Sequence, residues 1–230
     1  MIHFCTVKFG KTLLGQSITE LLNDLTKDIR NVKFHCYTED EKGLDPKFNI
    51  IPLSKENINK HIHWNMMNFF NGHFINAKEG DETIYMDIDV SWNYKPSPMI
   101  SYPIKNKEFL AIYRNWQNFK LDDKCELHDS FIKFKSHQCK HIYLKYFDNP
   151  QYWQQYYFNN NYVSKPRYGV QNFIWENVKS NMKLKYFPPH WIMKSHPKKH
   201  KIYAKQYKIN VGRNYYSDFE DAILHFNSND

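Results

Sequence analysis

The chain opens on two apolar runs separated by an amphipathic segment, and that order restricts the fold more than any other feature. Ile2 to Phe9 is nearly continuous in apolar character, as a strand is when both of its faces are covered, and Gly10 ends it. Ser17 followed by Glu20 fits a capping box, and Ile18, Leu21, Leu22, Leu25 and Ile29 recur at helical spacing. Val32 to Thr38 then reads as a second strand, closed by the acidic loop Glu39-Asp40-Glu41. Strand, helix and strand over this length make a βαβ unit with parallel strands and a right-handed crossover.

The same reading carries down the chain. Phe48 to Pro52 is a short strand after the break at Asp45-Pro46, and Trp64 to Phe70 is a short helix packing on the sheet. The turn Glu79-Gly80-Asp81 launches a further strand, Thr83 to Val90, so the first ninety residues read β-α-β-β-α-β. In the second half, Glu108–Tyr113, Ser130–Phe134 and Lys183–Phe187 are strand-like. Cys139 to Phe158 is helix-like but interrupted at Asn149-Pro150, and Tyr168 to Val178 is a clearer helix. In the tail, Tyr203, Tyr207, Ile209 and Val211 alternate as in a strand, and Phe219, Ala222, Ile223 and Phe226 mark a terminal helix. The expected architecture is one α/β domain over residues 1–230, a Rossmann-like mixed sheet flanked by helices. Its second half, 91–192, is rich in aromatics and its end, 193–230, is basic.

Composition narrows the partners. Net charge is +8 with histidine neutral, which favours an anionic partner such as a nucleotide, a nucleic acid or an anionic membrane surface. The lysines of the tail, interleaved with aromatics, are suited to phosphates or to lipid head groups in a peripheral contact. No recognisable nucleic-acid motif is present, so no nucleic acid is expected as partner; a nucleic-acid-binding protein or a metal nuclease is the competing class that charge and aromatics suggest. The four cysteines show no paired metal spacing and are too sparse for a disulfide framework, which makes them reduced packing residues. No signal-like segment or membrane-length apolar run is seen, and a cytoplasmic location is expected.

Chemistry concentrates at Asp87-Ile88-Asp89, where an apolar strand runs into two carboxylates one residue apart. If the strand continues through them, alternation puts both on one face at the point where a buried sheet meets solvent. Two hard anionic oxygens converging there suit Mn²⁺ or Mg²⁺. The competing reading is a pair of turn carboxylates that close a strand.

Taken with the order of elements, the carboxylate pair resembles the DxD motif of nucleotide-sugar-dependent glycosyltransferases of the A-type fold. The resemblance rests on Phe4–Gly10, Cys36–Asp40, Trp64-Asn65, Ile84–Val90, Gly169-Val170-Gln171 and Phe187–Trp191. It implies a nucleoside-diphosphate sugar donor, a UDP-sugar or a GDP-sugar, bound by residues 1–90, and a glycan or other hydroxyl acceptor met by residues 91–192. It implies Asp89 on the metal, Asp87 sharing the metal or touching the donor ribose, and His196 as third ligand. Thr6 and Lys8 are expected near the base and ribose, with Tyr37 or Phe9 stacking on the base. Gln171 is expected at the transferred sugar, and Asp129, Glu126 or Glu176 as the base for the acceptor. Two positions depart from the pattern: Met66 stands where related sequences often have a lysine, and Val170 where they often have Asp. A non-catalytic nucleotide-sugar or glycan binder is the alternative these departures raise.

Overall fold

The computed structural model describes residues 1–9, 18–20, 29–53, 62–88, 90–92, 97–114, 124–188, 191–195 and 224–227. Among them the strands run in chain order as β1 (Ile2–Lys8), β2 (Val32–Thr38), β3 (Phe48–Pro52), β4 (Glu82–Met86), β5 (Val90–Trp92), β6 (Glu108–Tyr113), β7 (Leu127–Lys135), β8 (Lys183–Tyr186), β9 (Ile192–Ser195) and β10 (Leu224–Asn227). The helices are α1 (Ser97–Ile100), α2 (Lys140–Asp148), α3 (Pro150–Asn159) and α4 (Val170–Asn181), with 3₁₀ helices at Ile62–Phe70 and Gly72–Ile75.

Seven strands form one mixed sheet in the order β3-β2-β1-β4-β7-β6-β8. β1 pairs in parallel with β2 and β4, while β7 runs antiparallel to both β4 and β6. β8 pairs in parallel with β6, so β7 alone is reversed within this sheet. On one face lie Trp64, Phe69, Phe70, Tyr146 and Phe173 with the 3₁₀ helix and α2–α4. On the other lie Phe4, Phe34, Met86, Met99, Phe131 and Phe187. This double coverage explains the continuous apolar runs of β1 and β2, because neither face of those strands meets water. Cys5, Cys36, Cys125 and Cys139 are free and buried, as their scatter implies.

The break at Asn149-Pro150 separates two helices. Pro150 opens α3, where a missing N–H costs nothing, and the Asn149 side chain accepts from the Tyr152 N–H at 3.1 Å.

Three expectations change. Trp64–Phe70 is coiled as a 3₁₀ helix, whose three-residue turn puts Trp64, Met67 and Phe70 in one buried row. The strand expected to reach Val90 stops at Met86, and the chain begins again as β5 in a separate sheet. Phe226, expected in a terminal helix, lies in β10, which pairs with β5 on one side and β9 on the other; the ladder overrides a helical spacing carried by only four apolar residues. The strand expected at Tyr203–Val211 lies outside the described residues. No helix among the described residues is long and apolar enough to cross a membrane.

A polar chain centred on the buried pair His3 and His35 crosses the amino-terminal end of the sheet. Asn49 Nδ2 lies 3.0 Å from His35 Nδ1, His35 Nε2 lies 2.9 Å from His3 Nδ1, and His3 Nε2 lies 3.1 Å from Asp81 Oδ2. Burial opposes ionisation of Asp81, but the Lys78 N–H, His3 and the Met1 amino group bring its carboxyl down to about 2. An ionised Asp81 can only accept, so both imidazoles carry their proton on Nε2. Burial holds His3 below 6.5 and pushes His35 down to about 3. Both folded values lie below the unfolded ones, so the unfolded chain takes up protons that the folded chain refuses. Stability is therefore complete above about pH 6.5 and declines as pH falls toward the folded values. Urea unfolding at pH 7.5, 6 and 5 should show that decline, and His35→Gln should flatten it; an unchanged slope would mean the pair does not govern acid sensitivity.

Candidate active site at the carboxyl edge of the sheet

Because all strands of the main sheet except β7 run one way, their carboxyl ends share an edge, where open α/β sheets bind ligands. β7 brings its first residues to that same edge. Thr6 and Lys8 of β1 stand there, each engaged within the protein. The Thr6 hydroxyl donates to the Met86 carbonyl at 2.8 Å and fastens β1 to β4 where their ladder ends. Lys8 is buried, donates to the Asp40 carbonyl at 2.9 Å, and lies 3.5 Å from the Asp40 carboxylate. Its ammonium is turned onto the loop after β2. Tyr37 is not available for a base to stack on: its ring is 3% exposed and meets Phe69 and Phe74 edge-on in the core. Phe9, just past β1, is 40% exposed.

Asp87 follows the last residue of β4. Its N–H donates to the Ser130 carbonyl at 2.9 Å, so the backbone stays fastened to β7 although the strand has ended. The side chain is half-buried and Oδ1 accepts from the Tyr85 hydroxyl at 2.6 Å. Burial pushes this carboxyl above its ordinary value, against hydrogen bonds from Tyr85 and Ser130. The expectation that alternation puts Asp87 and Asp89 on one face loses its basis, since regular strand geometry stops at Met86.

Asp89 and His196 lie outside the described residues, but their chain neighbours do not. In the second sheet, of order β5-β10-β9, Phe226 pairs with both Val90 and Lys194, and Asn227 pairs with Ser195. The start of β5 and the end of β9 are therefore at the same end of this sheet, two strand spacings or roughly 10 Å apart.

The acceptor-side candidates enter from β7 and α4. The register between β6 and β7 shifts between Ala111↔Ile132 and Ile112↔His128, so Asp129, Ser130 and Phe131 form an insertion in β7 at the edge. Asp129 is half-buried within it. Gln171 is in the first turn of α4, and its carbonyl accepts from Cys125 Sγ at 3.6 Å, two residues before β7 begins. Asp87, Asp129 and Gln171 are thus linked along one short stretch of backbone. Glu126 accepts from the Tyr186 hydroxyl at 3.3 Å at the same edge, whereas Glu176, in the middle of α4, accepts from Tyr157.

Tyr85 and Ser130, which contact Asp87, and Arg114, which is buried near the same edge, are residues that sequence reasoning did not single out. Tyr85 was legible, because i and i+2 share a face up to the end of a strand. Ser130 was not, since only the insertion in β7 sets its position. Arg114 follows β6, is buried, and donates to the Cys125 carbonyl at 3.4 Å.

No protein-family model and no curated protein sequence matches this chain. Solved structures match it in three dimensions. The galactosyltransferase LgtC, in complex with donor and acceptor sugar analogs, gives a TM-score of 0.61 at 10% identity, covering 98% of this chain and 86% of LgtC. The apo form of the glycosyltransferase GlyE of Streptococcus pneumoniae TIGR4 gives 0.62 at 10% identity, covering 97% of this chain and 53% of GlyE. A glycosyltransferase involved in glycosylation of the major capsid of PBCV-1 gives 0.50 at 13% identity, covering 98% and 91%. The chain has the fold of the A-type glycosyltransferases, a mixed seven-stranded sheet flanked by helices.

A divalent cation fits the one carboxylate of the expected set that is described. Asp87 supplies hard oxygen, and a cation would neutralise the charge that burial disfavours. Among the described residues, no group of three His, Cys, Asp or Glu is placed to hold a metal.

The entry to α4 depends on Gly169, whose φ is +104°. A Cβ there would also lie 3.0 Å from the Tyr157 ring. Gly169→Ala should cost at least about 1–2 kcal/mol from the left-handed backbone alone, read as a fall in urea midpoint. Wild-type stability in that variant would mean the turn into α4 is not constrained as described.

Proposed function

We propose that the protein is a divalent-metal-dependent glycosyltransferase that moves a sugar from a nucleoside-diphosphate donor, a UDP-sugar or a GDP-sugar, to a hydroxyl of a glycan or similar acceptor. One observation supports this most: within an A-type glycosyltransferase fold, Asp87 stands at the carboxyl edge of β4 while β10 brings the start of β5 and the end of β9 to one end of the second sheet. In this reading Asp87, Asp89 and His196 hold Mn²⁺ or Mg²⁺. When bound, the cation neutralises charge that develops on the leaving diphosphate.

The protein's own groups do the rest. Thr6 and the loop held by Lys8 shape the base and ribose pocket, and Phe9 offers an exposed ring for the base. Gln171 hydrogen-bonds the transferred sugar. The bond from the anomeric carbon to the diphosphate oxygen breaks, a bond to the acceptor oxygen forms, and the acceptor proton passes to Asp129. Residues 91–192 present the acceptor, and the basic residues of 193–230 carry a peripheral contact with anionic head groups.

A second reading, a binder without transfer, is favoured by a specific feature. Met66, where a lysine would reach donor phosphates, is 2% exposed, and Lys8 is turned inward onto Asp40. Both positions withhold positive charge from a diphosphate. The two readings share a first test. Calorimetry should show UDP or GDP binding that requires Mn²⁺, with Asp89→Ala abolishing it and His196→Ala weakening it by more than the roughly 10–100-fold typical of outer-shell changes. Absence of nucleotide binding with and without Mn²⁺ would overturn both.

A further inference from the structure

Asp87 is held from two directions by residues that would not themselves touch a donor. Tyr85 reaches it from β4: the ring is 4% exposed, lies 6.0 Å from the Phe69 ring, and sends its hydroxyl 2.6 Å to Oδ1. Ser130 reaches it from β7, with the carbonyl accepting from the Asp87 N–H and the side chain hydrogen-bonding the carboxyl. Ser130 is placed by the insertion in β7, where its own N–H donates to His128 Nδ1 at 3.3 Å. Backbone and carboxylate of Asp87 are therefore both fixed at a point where the strand has already ended.

This arrangement matters chemically because a free carboxylate at a strand end samples several rotamers and can chelate a cation through both oxygens. A carboxylate offers about four lone-pair sites. Two are committed here, one to a rigid phenol embedded in the core. We propose that Tyr85 and Ser130 are positioning residues that orient the Asp87 carboxylate before any cation or donor arrives, so that Asp87 meets the cation in one preset orientation. The inference rests on the transferase reading, in which Asp87 is a metal ligand.

The test is calorimetric titration of Mn²⁺ into the full chain saturated with UDP or GDP, with thermal midpoints measured in parallel. Tyr85→Phe keeps the ring and its packing but removes the hydroxyl. Its Mn²⁺ dissociation constant should rise by about 10–100-fold, the usual effect of losing a group that orients a metal ligand, while the midpoint stays near wild type. Ser130→Ala should act in the same direction, and Ser130→Thr, which keeps the hydroxyl, should recover most of the affinity. Phe69→Leu, which disturbs the packing of Tyr85 without removing its hydroxyl, should lower the midpoint more than the affinity.

Where transfer is measurable, the loss in Tyr85→Phe should appear mainly in the Mn²⁺ dependence of kcat, with the KM for acceptor little changed. Wild-type Mn²⁺ affinity in both Tyr85→Phe and Ser130→Ala would overturn the positioning role and leave the transferase reading intact. Failure of the wild type to bind Mn²⁺ with either nucleotide would overturn both. If Tyr85→Phe does not fold, Ser130→Ala and its threonine counterpart decide the question.

Discussion

The placement of β4 between β1 and β7 is the constraint on which the rest depends. On one side it pairs in parallel with β1, in register Phe4↔Ile84, and on the other antiparallel with β7, in register Tyr85↔Ile132. It therefore joins the parallel half of the sheet to the mixed half. A slip of one residue on either side would turn Tyr85 away from the helical layer and bring Ile84 or Met86 into its place. The Thr6 to Met86 bond on one side and the Asp87 to Ser130 bond on the other hold that register at the point where it sets the site. Asp87 takes its position from a sheet that is covered on both faces, which gives its side chain a rigid base.

The aromatic layers have a related part. Tyr85, Tyr37, Phe69 and Phe74 form one group under the carboxyl edge, with ring centroids 5.3 to 6.5 Å apart. Of the two tyrosines, one delivers its hydroxyl to Asp87 and the other is sealed in the core. A packed interior of this kind transmits displacement instead of absorbing it, so changes below the site are felt at the carboxylate. The His3–His35 pair sits at the far end of the same strands and acts on stability, remote from the carboxyl edge.

How much was legible follows from where each signal originates. β1 and β2 were readable to within a residue because strands covered on both faces are largely apolar, and the edge strand β3 because Asp45-Pro46 and Pro52 bound a short apolar run. The junction between α2 and α3 was readable because Pro150 forces a new start and Asn149 caps it. Asp87 stood out as a candidate because a carboxylate after an apolar strand is visible in one dimension. Its partner on β7 was not, since the insertion that raises Ser130 depends on how β6 and β7 pair. Lys8 and Tyr37 were assigned outward roles, but whether a long side chain reaches solvent or folds back is decided by the loop and layer beneath it. Phe226 was misread because a four-residue strand held by two other short strands carries almost no local pattern.

Whether this fold and edge serve sugar transfer is read directly from release of free nucleotide from a panel of UDP-sugars and GDP-sugars in the presence of Mn²⁺. At least one donor should be consumed, chelation of the metal should stop it, and Asp87→Ala should abolish it without unfolding the chain. Nucleotide binding with no donor consumed across the panel, or turnover that survives both chelation and Asp87→Ala, would contradict sugar transfer at this edge.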